Sequence, residues 1–179
     1  YWSHENYDVT PDIVTMAKGL GNGAPIAAMG ARSDISEQLA NRVYFNTFGG
    51  NPVSMTQGLA TLEVIDEENI QQNALEVGGR LKDGLLELQN KHALIGDVRG
   101  MGLMLGVELV RDRNSKQPAT EEAARVTERC KELGLIIGKG GLWGQTLRIK
   151  PPMCITGDDA DFLVECLDQA LGEVEVTNS

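Results

Sequence analysis

The apolar residues Ile70, Ala74, Val77, Leu81, Leu85 and Leu88 recur at close to 3.6 positions and predict one long amphipathic helix, although Gly78, Gly79 and Gly84 lower its intrinsic propensity. A helix of that length suits a connector between two lobes. Beyond it the pattern changes to short strands, Ile95 to Arg99 and Leu103 to Val110, punctuated by Gly100 and Gly102, and a new lobe begins.

Upstream, Pro11 to Ala17 reads as a short apolar strand that delivers Lys18 into a glycine-rich turn, with a return strand from Ile26 to Gly30. Ser33 or Asp34 is placed to cap a short helix through Leu39, and Tyr44 to Pro52 breaks regular structure. Asn51 as N-cap and Pro52 as first helical residue open a helix that ends near Asp66-Glu67-Glu68, with Met55, Leu59, Leu62 and Ile65 on one face.

Downstream, Thr120, Glu121 and Glu122 mark a helix start that ends before Gly134. Leu135-Ile136-Ile137 and Thr146 to Ile149 are predicted strands. Thr156 and Asp159 have the spacing of a capping box for a last helix, in which Phe162, Leu163, Cys166, Leu167, Ala170 and Leu171 form a core stripe. The tail from Glu173 to Ser179 is expected to fray.

With 179 residues, 41% of them hydrophobic, the chain can bury one good core or two small ones. Its 26 Asp and Glu against 16 Lys and Arg give a net charge of -10, which repels a phosphate backbone and makes nucleic acid a poor partner. No apolar run approaches the roughly 20 residues of a membrane span; Gly102 to Val110 is broken by Gly106 and Glu108. Cys130, Cys154 and Cys166 form no close pair, which suits a reducing compartment, offers no zinc spacing, and makes all three expected buried hydrophobes. His4 and His92 have polar neighbours but no acidic or cysteine partner at motif spacing, so neither a metal site nor a Ser-His-Asp triad is expected. Tyr1 and Trp2 are neither a start methionine nor the opening of a signal peptide, and the chain reads as cut from a longer one.

The chemistry concentrates at Lys18. A lysine at a strand end, backed by apolar residues, can lose solvation and attack a carbonyl as a free amine, although a lone lysine beside glycines is more often solvated or an anion contact. A phosphate-cradling P-loop is excluded, because Lys18 precedes the glycines and is followed by Gly19. The evenly spaced Gly19, Gly21 and Gly23, with Pro25 directly after, also fail the dinucleotide fingerprint.

Four segments, Pro11 to Gly23, Phe45 to Pro52, Gly96 to Gly106 and Leu147 to Pro152, together resemble the class III pyridoxal-phosphate aminotransferases. The wording of Asp12 to Gly19 and Phe45 to Asn51 is most similar to the alanine–glyoxylate aminotransferase 2 branch. The resemblance covers nearly the whole chain and only the C-terminal portion of such enzymes. It implies an α/β fold, the C-terminal part of a fold-type I pyridoxal-phosphate transferase. Residues 1–66 would be the remnant of the cofactor-binding large domain, 67–92 a connecting helix, and 93–179 a small α/β domain.

By the same resemblance Lys18 is the Schiff-base lysine and then the general base, a role that requires an amine able to deprotonate. Thr47, with Asn46 assisting, would reach the cofactor phosphate, in the family from the neighbouring subunit of a homodimer. Arg148 would grip the substrate carboxylate, whereas Arg99 reads as structural. Read without the resemblance, Thr47 is a loop residue ahead of a helix cap, and Arg148 is equally well an arginine paired with an acidic neighbour at a strand edge.

The activity implied is amino-group transfer from a small amino acid, L-alanine, to an oxo-acid, glyoxylate, in a mitochondrial homodimer or higher homo-oligomer without a metal. The aspartate facing the pyridine nitrogen and the aromatic stacked on the ring lie upstream in the family, so the fragment alone is expected to be inactive. Two alternatives remain at this stage. One is an omega-amino-acid transaminase of the same class, and the other is a non-catalytic dimerisation or binding module. The large-domain remnant by itself is expected to expose apolar faces and to associate.

Overall fold

The computed structural model describes residues 2–42 and 44–178. They fall into two compact units, 1–71 and 72–179.

The first unit opens with a single 3-10 turn over Ser3–Tyr7, followed by strand β1 (Ile13–Ala17) and strand β2 (Ala27–Ala31). These pair antiparallel, with Ile13 opposite Ala31 and Ala17 opposite Ala27. Helix α1 (Ser33–Ala40) begins at Ser33 itself, too early for either Ser33 or Asp34 to cap it. Its N-cap is Arg32, which makes no side-chain cap. The Asp34 carboxylate is drawn instead to the Arg32 guanidinium, which also reaches Asp12 at 2.6 Å. Helix α2 (Pro52–Glu67) starts as expected: Asn51 Oδ1 accepts the Ser54 N–H at 3.0 Å, and Pro52 fills the first turn, where its missing N–H costs nothing.

On α2 the predicted apolar face is not a core face. Met55 and Leu59 are exposed, and Ile26 and Ile70 are the buried large apolar side chains of this unit among the described residues. Phe45, Phe48, Ile13 and Met29 are also exposed.

Helix α3 (Ile70–Lys91) carries the predicted stripe into the second unit, where Leu81, Leu85 and Leu88 are buried. Two of its glycines answer close approach. A Cβ on Gly78 would stand 2.7 Å from Gly102 Cα, and one on Gly84 would meet Val164 Cγ2 at 2.8 Å. The strands that follow are β3 (Ile95–Met101), β4 (Met104–Asp112) and the two-residue β5 (Gln117–Pro118). Then come helix α4 (Thr120–Glu132), strands β6 (Gly138–Gly140) and β7 (Thr146–Ile149), and helix α5 (Gly157–Asn178). The sheet is antiparallel in the order β3-β4-β7-β6, with β5 paired to β4.

One sheet face carries Val107, Leu109, Leu147 and Ile149 into a core closed by α3, α4 and α5. Leu135-Ile136-Ile137 is not a strand; the edge strand lies three residues on, and Ile136 is exposed. An apolar run has no register of its own, and pairing to β7 selected the glycines instead. The capping box at α5 forms in full: Asp159 Oδ2 accepts from Thr156 N and Oγ1, and Asp159 N donates to Thr156 Oγ1. Far from fraying at Glu173, α5 continues to Asn178, with Val174 buried. Cys130 and Cys166 are buried, but Cys154 and Phe162 are exposed.

His92 departs most from the expectation of a polar, unpartnered site. It is 4% exposed, with Nε2 2.6 Å from Asp168 Oδ1 and Nδ1 2.9 Å from Glu175 Oε2. Glu175 Oε1 also accepts the Leu94 N–H, and Lys91 Nζ reaches the other Asp168 oxygen at 2.6 Å. The partners lie 76 and 83 residues away, beyond any motif spacing. Partial burial works to raise the Asp168 carboxyl, but the bonds from Lys91 and His92 together outweigh it and hold the group below its ordinary value.

A depressed carboxyl contributes stability above its unfolded value that is lost as pH falls through the folded one. Asp168→Ala is expected to cost about 1–3 kcal/mol at neutral pH, because His92 and Lys91 lose their acceptor. The gap to the parent should narrow below about pH 4, where the parent carboxyl itself protonates. Urea denaturation at a series of pH values would read both limbs.

Candidate functional site

Lys18 follows β1 directly and opens a single 3-10 turn, Lys18–Gly21. Its φ is 54°, in the left-handed region, and Asn22 and Gly23 also have positive φ. For a residue with a Cβ that conformation costs about 1–2 kcal/mol, and lysine has no short polar side chain to offset it. Glycine would sit there more comfortably, so the amine, and not the backbone, justifies a lysine. The side chain is exposed and has no ion-pair or hydrogen-bond partner among the described residues.

Ile26 seats this turn on α2. Its Cδ1 lies 3.2 Å from where a Cβ on Gly21 would be, and 3.2 Å from where one on Gly58 would be. The buried isoleucine is thus wedged between a glycine of the lysine turn and a glycine of the helix. Sequence reasoning passed over both contacts. A lone glycine inside an otherwise regular helix, as at Gly58, was the available signal of close approach.

Asn46 and Thr47 stand in the loop before α2. Asn46 Oδ1 accepts the N–H groups of Phe48 at 3.1 Å and Gly49 at 3.0 Å, which shapes the loop and leaves the side-chain N–H groups free to donate elsewhere. The Thr47 hydroxyl is exposed and has no partner among the described residues. An open cavity of about 580 Å³ joins Asn46, Gly49 and Asn51 to Pro25, Ile26 and Ala27 at the start of β2; Lys18 and Thr47 do not line it.

Arg148 belongs to the second unit. Along β7, Leu147 and Ile149 are buried while Arg148 stands exposed on the opposite face. Its direct neighbours across the sheet are Gly106 on β4 and Gly138 on β6. Arg99 faces Gly106 from the other side, but its Nη1 is bound by Asp97 at 2.7 Å and Glu108 at 2.6 Å. Those carboxylates hold the Arg99 guanidinium above its ordinary range. Arg148 has no carboxylate partner among the described residues, so the strand-edge ion pair that spacing also allowed does not form. Arg148 is among the residues lining a groove of about 480 Å³ with Ile137, Lys150, Pro151, Cys154 and Phe162. An exposed planar fork of this kind can take a carboxylate in two parallel hydrogen bonds. Lys18, Asn46 and Thr47 therefore share one unit, and Arg148 stands in the other. Among the described residues no group of three or more His, Cys, Asp or Glu could hold a metal ion, and no helix is long and apolar enough to cross a membrane.

The family model of class-III aminotransferases matches residues 1–171, and the chain belongs to that family, whose members depend on pyridoxal 5'-phosphate. It is 55% identical over 174 residues to a mitochondrial alanine–glyoxylate aminotransferase 2 homolog of Arabidopsis thaliana, and 47% identical over 173 residues to the human mitochondrial alanine–glyoxylate aminotransferase 2. These matches cover 97% and 96% of this chain but only 36% and 34% of the relatives, so the chain spans about a third of their length. A crystal structure of a Bacillus anthracis aminotransferase superposes with a TM-score of 0.87 at 36% identity, over 94% of this chain and 40% of that one.

The residues present fit the family's cofactor by their chemistry. An unpaired amine, an unpaired hydroxyl and open space above Gly19 and Gly50, where a Cβ would meet nothing within 4 Å, are what an aldehyde and a phosphate ester require. At Gly50 the positive φ of 69° already calls for glycine; at Gly19 nothing among the described residues does.

The strain at Lys18 gives a testable difference. Lys18→Gly is expected to be more stable than Lys18→Ala by about 1 kcal/mol, because only glycine relaxes at positive φ. Equal denaturation midpoints for the two variants would mean that the turn is not strained.

Proposed function

We propose that this chain is the C-terminal portion of a pyridoxal-phosphate transaminase that moves an amino group from a small amino acid to an oxo-acid. L-alanine is the expected donor and glyoxylate the expected acceptor. The observation that carries the reading is the unpaired Lys18 amine held at the end of β1 in a left-handed turn, in a chain of this family. Lys18 Nζ would tether the cofactor and, once freed, take up and return the proton at the substrate carbon as general base. Thr47 Oγ1 and the Asn46 amide would donate to the phosphate. Arg148 would bind the substrate carboxylate and so fix which substrate carbon is presented. When bound, pyridoxal phosphate supplies the electron sink for charge developing at that carbon.

The mitochondrial names of the relatives support a mitochondrial location, and the exposed apolar residues of the first unit support burial in a homodimer or against the rest of a longer chain. In this reading residues 1–66 complete a large domain, 67–92 connect it, and 93–179 form the small domain. Without the remainder of the large domain the segment is inactive.

The test uses a protein of the relatives' full length with this sequence as its C-terminal portion. After borohydride reduction, mass spectrometry should locate a pyridoxyl-phosphate adduct on Lys18. Lys18→Ala should lose both the adduct and about 10³-fold or more in kcat, in keeping with the 10²–10⁴ supplied by a general base alone. An unmodified Lys18 in a folded, cofactor-treated protein would favour a non-catalytic binding module. Initial rates with L-alanine against an omega-amino acid then decide the donor class.

A further inference from the structure

Directly across the sheet, Arg148 has a glycine on each side. The row across β3, β4, β7 and β6 reads Arg99, Gly106, Arg148, Gly138. Along β6 the two residues on that face are Gly138 and Gly140, with Lys139 between them on the other face. The Arg148 stem does not rise over its direct partner Gly138 but runs diagonally across Gly140. A Cβ on Gly140 would fall 2.6 Å from Arg148 Cδ, 3.2 Å from Cγ and 3.7 Å from Nε. A Cβ on Gly138 would meet only Arg148 Cβ and O, both at an ordinary 3.9 Å. Gly140 has no positive φ, so backbone conformation does not demand glycine there. What the missing side chain provides is a bed for the arginine.

We propose that Gly140 is a positioning residue that sets the direction of the Arg148 guanidinium and thereby the preference for substrates bearing a carboxylate; the inference rests on the carboxylate-binding role of Arg148 proposed above. The physical basis is that a two-pronged arginine clamp depends on angle as well as distance. Among the described residues Arg148 has no acidic partner to fix it from the side, so the strand beneath its stem constrains its rotamer. A methyl group at residue 140 collides with the middle of a flexible side chain and not with backbone, so the arginine moves and the sheet stays. A displaced guanidinium loses one prong, which weakens substrate binding and leaves groups that act at the reacting carbon in place.

The experiment compares Gly140→Ala, Gly138→Ala, Arg148→Ala and the Gly140→Ala/Arg148→Ala double variant in the full-length holoenzyme. Two amino donors of similar size are used, one with a carboxylate and one without. Gly140→Ala should raise KM for the carboxylate donor about tenfold with kcat within about twofold, and leave KM for the other donor unchanged, the signature of a lost binding contact. Gly138→Ala should leave both values unchanged. In the Arg148→Ala background, Gly140→Ala should have no further effect, because its action passes through the arginine.

A Gly140→Ala effect that persists without Arg148, or that falls equally on both donors, would be general damage to the strand and would overturn the proposal. So would an unchanged KM for the carboxylate donor. If Arg148→Ala itself shows no carboxylate-selective loss, the functional reading of Arg148 has failed, and that result is distinct from a failure at Gly140.

Discussion

In the second unit the backbone of α3 lies directly against the backbone of the turn between β3 and β4. Gly78 presents no side chain to Gly102, and Gly102, at φ 53°, presents none to the Ala74 carbonyl, which a Cβ there would meet at 3.3 Å. Side chains add to the docking of α3: Lys82 Nζ donates to Gly100 O at 3.1 Å on β3, and Asn73 Nδ2 donates to Met153 O and Ile155 O in the loop ahead of α5. The glycines lower helix propensity by about 1 kcal/mol each. The loss is offset because the close approach lets Leu81, Leu85 and Leu88 reach the core from the same helix face. With α3 docked, the hairpin β3-β4 is placed, β7 pairs to β4, and β6 pairs to β7 beneath Arg148.

The two units differ in how far each can stabilise itself. The second has a contiguous core running from Leu81 to Val174. The first has the Ile26 wedge and little else buried among the described residues, while Phe45, Phe48 and Tyr44 are largely exposed. Apolar exposure on that scale marks a surface meant to be covered. The proposed cofactor ligands Lys18, Asn46 and Thr47 all stand in this unit, so the electrostatics of a completed site would depend on what covers it.

Much of the fold was legible because its signals are local. The Asn51-Pro52 helix start, the Thr156-Asp159 capping box and the period of α3 each need only a few neighbouring residues, and each formed as expected. The failures involve choices made at long range. Leu135 to Ile137 had the composition of a strand, yet the partner strand took up Gly138 to Gly140. His92 and its carboxylates are separated by most of a domain. Without the resemblance, Arg99 and Arg148 posed the same question; Asp97 stands two residues from Arg99 on its own strand, but Glu108, the second carboxylate on Arg99, is brought there by the pairing of β3 with β4. Lys18 was singled out by its glycines, but the left-handed backbone that makes it unusual was not readable from them.

The Glu175 carboxylate spans two roles, taking the His92 ring with one oxygen and the Leu94 amide with the other. That amide, just before β3, therefore has no helix or sheet partner of its own and is protected only while the last turns of α5 are docked. Its solvent-exchange rate is a built-in gauge of the C-terminal helix: the Leu94 proton should leave at the rate at which α5 peels away, well before the sheet behind it opens.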